Sequence, residues 1–133
     1  MIVGTGTDLI DVRRIERALA RFGHRFAQRV LVEHEYRRFC AHVKPAHYLA
    51  KRFAAKEAFS KAMGTGIHFP VNWHNVSVAN ERSGKPYLEF SAPLTALLDQ
   101  RGITRVHLSL SDEVEMACAF VVLEGEKHDK NGK

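Results

Sequence analysis

The chain has 133 residues, enough for one domain that buries roughly two-thirds of its unfolded surface, with an apolar fraction of 45% and a charged fraction of 26% that suit a globular protein. No run approaches the ~18 apolar residues a membrane span needs, no signal-peptide pattern precedes the first strand, and Cys40 and Cys118 sit far apart in apolar contexts. We therefore exclude a disulfide framework and expect reduced core cysteines in a cytoplasmic protein, whose formal charge of +5 calls for an anionic partner: nucleic acid, a phosphorylated cofactor or an acidic protein.

Residues 1–10 alternate as a strand, with Ile2, Asp8 and Ile10 on one face and Val3 and Leu9 on the other. Gly4 and Gly6 share the side of Asp8, where another backbone or a ligand can approach closely. Asp11 is placed to cap a helix over 12–22, whose apolar stripe is Val12, Ile15, Leu19 and Phe22. Gly23 ends or bends that helix. A second helical stretch covers about 24–30, and a third runs from 33 to about 40. Lys44-Pro45 punctuates the chain before a long helix that reaches Met63 and stops at Gly64-Thr65-Gly66. Strands over 75–79 and 86–90 form a hairpin about the turn 81–85. A short helix over 91–100 precedes two strong strands, 105–111 and 116–123, joined through Asp112-Glu113. The polar stretch 125–133 reads as a frayed tail, which leaves one domain over 1–124. The order is α+β: a mostly antiparallel sheet of about five strands beside a helical layer, with no internal repeat.

Two acids stand where burial should exclude them. Asp8 lies on the core-facing side of the first strand, and Glu57 continues the apolar Leu49–Phe53 column of the long helix at i+4. An unmet buried acid costs several kcal/mol. Each has an ordinary explanation: Asp8 could close a turn, and Glu57 could pair with Lys61 one turn on. Asp11 is the better cap, however, and Glu57 has Arg52 and Lys56 in a second column and Gly-Thr-Gly at the helix end. Small residues there can present backbone N–H groups to phosphate oxygens, or can serve only as a C-cap. Hard carboxylate oxygens from two separate elements suit Mg²⁺, which keeps several waters and shares its other positions with phosphates.

Other motifs fail. Gly4-Thr5-Gly6 lacks the third glycine of a dinucleotide fingerprint, no P-loop follows, and His34-Glu35 meets arginine at position 38 where a zincin needs histidine. The eight histidines have no ligand spacing, and Ser60 and Ser109 have no evident triad partners. The arginines are more informative. Eight fall between positions 13 and 38, against three glutamates. At ~100° per residue Arg14, Arg17 and Arg21 share the side opposite Ile15 and Leu19, and Arg25 joins them if the helix continues past Gly23. A solvated face would mix its signs; this one suits docking of an acidic partner.

Together these residues strongly resemble the holo-acyl-carrier-protein synthase family, the small bacterial type of 4′-phosphopantetheinyl transferase. The match spans nearly the whole chain: GTGTDLIDVRRIE (4–16), RFAAKEAFSKAMGTGI (52–67), GKP (84–86) and the paired C-terminal strands. The resemblance implies transfer of the phosphopantetheine arm of coenzyme A to a serine of apo-acyl carrier protein for fatty acid biosynthesis, with release of adenosine 3′,5′-bisphosphate. It implies Asp8 and Glu57 as Mg²⁺ ligands, Lys61 beside the pyrophosphate, and Gly64, Thr65 and Gly66 in a phosphate-contacting turn. It implies further that Lys44 and Arg52 hold the 3′-phosphate, that Pro86 lies near the adenine, and that Arg14, Arg21 and Arg25 dock the carrier. It also implies a homotrimer with sites between subunits.

Where many relatives carry Ser-His, this chain has Ser111-Asp112, so no histidine role carries over. Asp112 could turn towards a cation, and the reading favoured is a closed turn. In the chemistry that follows, Lys61 stabilises the departing oxygen, and Glu57 is the best candidate for the base that takes the serine proton, competing there with its part as a metal ligand. The main alternative is a small basic nucleic-acid-binding module. It leaves both acids unexplained and lacks aromatics interleaved with its basic segments. A non-catalytic trimeric scaffold is the third reading.

Overall fold

The computed structural model describes residues 1–126. Five strands and five helices follow one another as β1 (Ile2–Asp11), α1 (Val12–Phe22), α2 (His24–Val30), α3 (Glu33–Ala41), α4 (Pro45–Met63), β2 (Val76–Asn80), β3 (Pro86–Phe90), α5 (Ala92–Gln100), β4 (Ile103–Asp112) and β5 (Met116–Gly125). The α+β class and the strand count agree with the sequence. The expected single sheet does not: the strands form an antiparallel sheet in the order β1-β5-β4 and a separate β2-β3 hairpin. Alternation tells which residues share a strand face, but not which strand edges meet.

Helix α4 is the axis of the fold. It is buried nearly all round, at Leu49, Ala50, Ala54, Ala55, Ala58 and Phe59 among others, because β1, β5 and β4 cover one side and α1, α2, α3 and β2 pack on others. Pro45 suits its first turn, where the missing N–H costs nothing, and Gly64 ends it in the left-handed region at φ 75°. The alanines admit neighbouring backbone on several sides at once.

The closest approach is with β1. A Cβ at Gly4 would lie 2.4 Å from the carbonyl oxygen of Ala62, and one at Gly6 would lie 2.1 Å from that of Ala58. The glycines on the Asp8 side of the strand thus let α4 rest directly on the β1 backbone, as their position suggested. Asp11 caps α1 as expected, its Oδ1 accepting from the N–H of Arg13 at 2.9 Å. Gly23, at φ 65°, ends that helix and starts the next, so α1 and α2 are two helices and Arg25 does not continue the stripe on one axis.

Three other expectations change. Cys40 is exposed and Cys118 half-buried, and both are free thiols, so neither is the core residue its sequence context suggested. Asp112 turns its Oδ1 to within 3.6 Å of Lys51 Nζ on α4, so the cation rather than the closed turn describes it. The tail cannot begin at 125, because β5 runs through Gly125, whose N–H donates to the carbonyl of Met1 at 2.9 Å; 127–133 lie outside the described residues.

The sequence also did not disclose an acid buried deeper than either candidate. Glu35 is wholly buried, with one oxygen accepting from the Val32 N–H at 3.0 Å and from Lys56 Nζ at 2.8 Å, and the other from the Val78 N–H at 2.7 Å. Lys56 also donates to the carbonyls of Val30 and Trp73. This pair ties α2, α3, α4 and β2 together and removes Lys56 from any ligand.

Candidate active site

Because Gly4 and Gly6 seat β1 on the last turns of α4, the next residue of that strand face, Asp8, arrives beside the side chains that α4 sends outward there. Lys61 Nζ lies 3.1 Å from Asp8 Oδ1 and also donates to the Thr7 carbonyl at 3.1 Å. Lys61 reaches across to the strand instead of back to Glu57, so the ordinary i,i+4 helix pair does not form. Asp8 is largely covered, its side chain 14% exposed.

Glu57 is half-buried and, among the described residues, makes no ion pair. Burial pushes its carboxyl above the usual range, and the charge of nearby Asp8 pushes it further; Lys61 and Arg14 pull the other way. Two carboxylates from separate elements, one without a counter-ion and each within the other's field, are a donor set that fits a divalent cation. Among the described residues no third His, Cys, Asp or Glu joins them, so the remaining ligands of a hard ion would be waters and ligand oxygens.

Arg14 was read from the sequence as a docking residue only. Its guanidinium lies 6.0 Å from the centroid of the Phe53 ring, one helical turn before Glu57. The exposed row of Arg14, Arg17 and Arg21 on α1 therefore runs up to the acids. Beyond it, exposed Arg25 and Arg29 with Phe22 and Phe26 line a groove of about 470 Å³.

The other expected residues stand apart from this cluster. Gly64, Thr65 and Gly66 follow α4 immediately, but their N–H groups all donate to the carbonyls of Ser60 or Lys61. The turn is a C-cap, and free backbone donors for phosphate are not what it offers; its hydroxyl, on Thr65, donates to the Gly66 carbonyl at 2.7 Å. Lys44 is exposed at the start of α4. Arg52 is only 5% exposed, with its Cζ 4.1 Å from the centroid of the Tyr48 ring and one Nη donating to Asn80 Oδ1 at 3.1 Å. Asn80 pairs across the hairpin with Pro86, so Arg52 and Pro86 do converge, through a residue the sequence did not single out. Arg52 precedes Glu57 by five positions, which turns it about 140° away around α4.

Residues 4–120 match the 4′-phosphopantetheinyl transferase superfamily. The chain is 56% identical to a holo-[acyl-carrier-protein] synthase of Nitrosomonas europaea over 93% of its own length and 99% of that protein's. It is similar to the crystal structure of holo-[acyl-carrier-protein] synthase from Neisseria meningitidis, with a TM-score of 0.90 and 47% identity over 93% of this chain and 99% of that one. It is also similar to a holo-(acyl-carrier-protein) synthase from Bacillus anthracis in complex with coenzyme A (3′,5′-ADP), at a TM-score of 0.79 and 40% identity, covering 95% and 99% of the two chains.

Proposed function

The chain belongs to the 4′-phosphopantetheinyl transferase superfamily, and we propose that it moves the phosphopantetheine arm of coenzyme A to a serine of an acidic apo-acyl carrier protein, releasing adenosine 3′,5′-bisphosphate. The observation that carries this reading is the meeting of Asp8, Glu57 and Lys61 where β1 rests on α4. The nucleic-acid reading has no use for these acids, and the scaffold reading has none for a carboxylate left without a counter-ion.

In this reading Asp8 and Glu57 would hold Mg²⁺, and the chemistry it would supply there is neutralisation of charge on the pyrophosphate. Lys61 lies beside that position and supplies an ammonium to the leaving oxygen. Glu57, with its proton affinity raised by burial and by Asp8, suits acceptance of the serine proton, directly or through a water. The two parts proposed for Glu57 are separable. Loss of turnover in Glu57→Gln with cation affinity intact supports the base, and loss of both assigns Glu57 to coordination.

Arg14, Arg21 and Arg25 receive the carrier, and Arg14 brings it next to Glu57. Lys44 and Arg52 hold the 3′-phosphate, Pro86 lies near the adenine, and the turn Gly64-Thr65-Gly66, whose N–H groups and Thr65 hydroxyl donate within the chain, contributes shape beside the phosphates. The homotrimer that the resemblance implies would share the site between copies, and the placing of Arg52 and Glu57 on different sides of α4 supports such sharing. The sheet face turned away from α4 supports this, because it leaves Leu9 66% and Phe120 41% exposed. The setting is cytoplasmic, and no helix among the described residues is long and apolar enough to cross a membrane. Incubation with coenzyme A, Mg²⁺ and an apo-carrier, followed by mass spectrometry of the carrier, tests the reading. A gain of one phosphopantetheine that EDTA and Asp8→Ala both prevent is expected; no gain overturns it.

A further inference from the structure

Arg52 presents a problem that the catalytic cluster does not solve. Among the described residues three charged side chains are buried, and they do not balance: Glu35 and Lys56 are 0% exposed and pair with each other, while Arg52 is 5% exposed and has no carboxylate of its own. Among the described residues its one side-chain acceptor is the neutral Asn80 Oδ1, and its Nε is buried without a partner. A guanidinium keeps its proton at any ordinary pH, so the cost of this burial persists until an anion meets it.

Two contacts hold the group in that state. The ring of Tyr48, itself 4% exposed, stacks under the guanidinium at 4.1 Å, one turn before it on α4. The Tyr48 hydroxyl is buried with no well-aligned hydrogen-bond partner among the described residues, so the ring makes the defined contact with Arg52. From the side, Asn80 accepts from Arg52 and donates its own Nδ2 to the Gly84 carbonyl at 3.0 Å, which ties Arg52 to the turn of the β2-β3 hairpin. An arginine fixed on two sides, already stripped of water and short of one negative charge is a preorganised anion receptor.

We infer that Tyr48 and Asn80 are positioning residues that lock Arg52 for a phosphate monoester, and that they set the preference for coenzyme A over 3′-dephospho-coenzyme A. The inference rests on the reading above that Arg52 meets the 3′-phosphate. It adds that the selectivity resides in a stacked ring and a hairpin amide that do not themselves touch the phosphate.

The test compares kcat/KM for coenzyme A and for 3′-dephospho-coenzyme A in the unaltered protein, Tyr48→Phe, Tyr48→Leu and Asn80→Ala. The unaltered protein should prefer coenzyme A by at least about tenfold, the scale of a charge-assisted contact. Tyr48→Phe, which keeps the ring, should retain that ratio within about twofold. Tyr48→Leu should lower it about tenfold, through a raised KM for coenzyme A with little change in kcat. Asn80→Ala changes an exposed residue and so decides the matter should the Leu variant not fold; it should lower the ratio several-fold. A preference that survives both Tyr48→Leu and Asn80→Ala overturns the inference and leaves the assignment of Arg52 standing. Loss of preference in Tyr48→Phe overturns the stacking account, and no preference in the unaltered protein overturns both the inference and the reading beneath it.

Discussion

Replacing Gly6 with alanine tests whether contact between β1 and α4 sets the spacing of the two acids. A Cβ at residue 6 would lie 2.1 Å from the Ala58 carbonyl oxygen and 2.6 Å from the Ala62 nitrogen, whereas ordinary contact begins at 3.4 Å. Both neighbours are backbone atoms of the packed helix α4, so no rotamer can relieve the clash. Strand and helix must part by about 1.3 Å at this point. Overpacking of this kind costs about 1–3 kcal/mol. The larger effect falls on chemistry, because a misplacement of ~1 Å between groups that act together costs on the order of 100-fold in rate. Asp8 lies two residues along the same strand face and takes most of that shift relative to Glu57 and Lys61. The assay is carrier modification by mass spectrometry beside a thermal melt. Gly102→Ala serves as the control: its φ of 70° strains any side chain, and it joins α5 to β4, where none of the proposed site residues lies. Gly6→Ala should fold and lose about two orders of magnitude in rate, while Gly102→Ala loses stability and keeps its rate. Full activity in Gly6→Ala, or equal losses in both, would refute the reasoning.

Asp8→Asn removes one of the two causes that raise the Glu57 carboxyl, so the midpoint of Glu57, followed by carboxyl ¹³C NMR, should fall; an unmoved midpoint would mean that the acids do not share a field. A carboxyl raised in the folded state weakens the fold as pH climbs through that raised value, so Glu57→Gln should melt higher than the unaltered protein at neutral pH while losing transfer activity. Glu35→Ala leaves Lys56 buried and unpaired at a cost of about 3–5 kcal/mol, read by urea unfolding, and replacing both residues with apolar ones should recover much of it. The side chain and N–H of Arg13 hold the Asp11 carboxyl at about 2, down from 3.8. That contribution is complete above pH 3.8 and disappears as pH falls through about 2, so Asp11→Asn should lower the melting temperature at pH 7 and lose its effect near pH 2.

Much of this protein was legible in the chain because the signals are local. Asp11 caps α1, Pro45 opens α4, Gly64 closes it, and each depends on residues within one or two turns. The two acids were legible for a related reason: alternation on β1 and the i+4 column on α4 assign a side chain to a face without knowledge of what covers that face. Gly4 and Gly6 even announced a close approach, although the sequence could not say whether backbone or ligand would make it.

What the tertiary structure alone decided concerns pairs. Lys56 and Arg52 stood in one column of the sequence reading, yet Lys56 is consumed by Glu35, twenty-one residues earlier, and Arg52 is left with a ring and an amide. The sequence left the Gly-Thr-Gly turn open between a phosphate contact and a C-cap, and the carbonyls of Ser60 and Lys61 take its N–H groups. Asp112 found Lys51, and five strands divided three and two. Composition and periodicity set the energetic cost of exposing or burying each residue in isolation. Which opposite charge or free donor arrives to offset that cost depends on contacts between residues distant in sequence, and these exist only once the elements have packed.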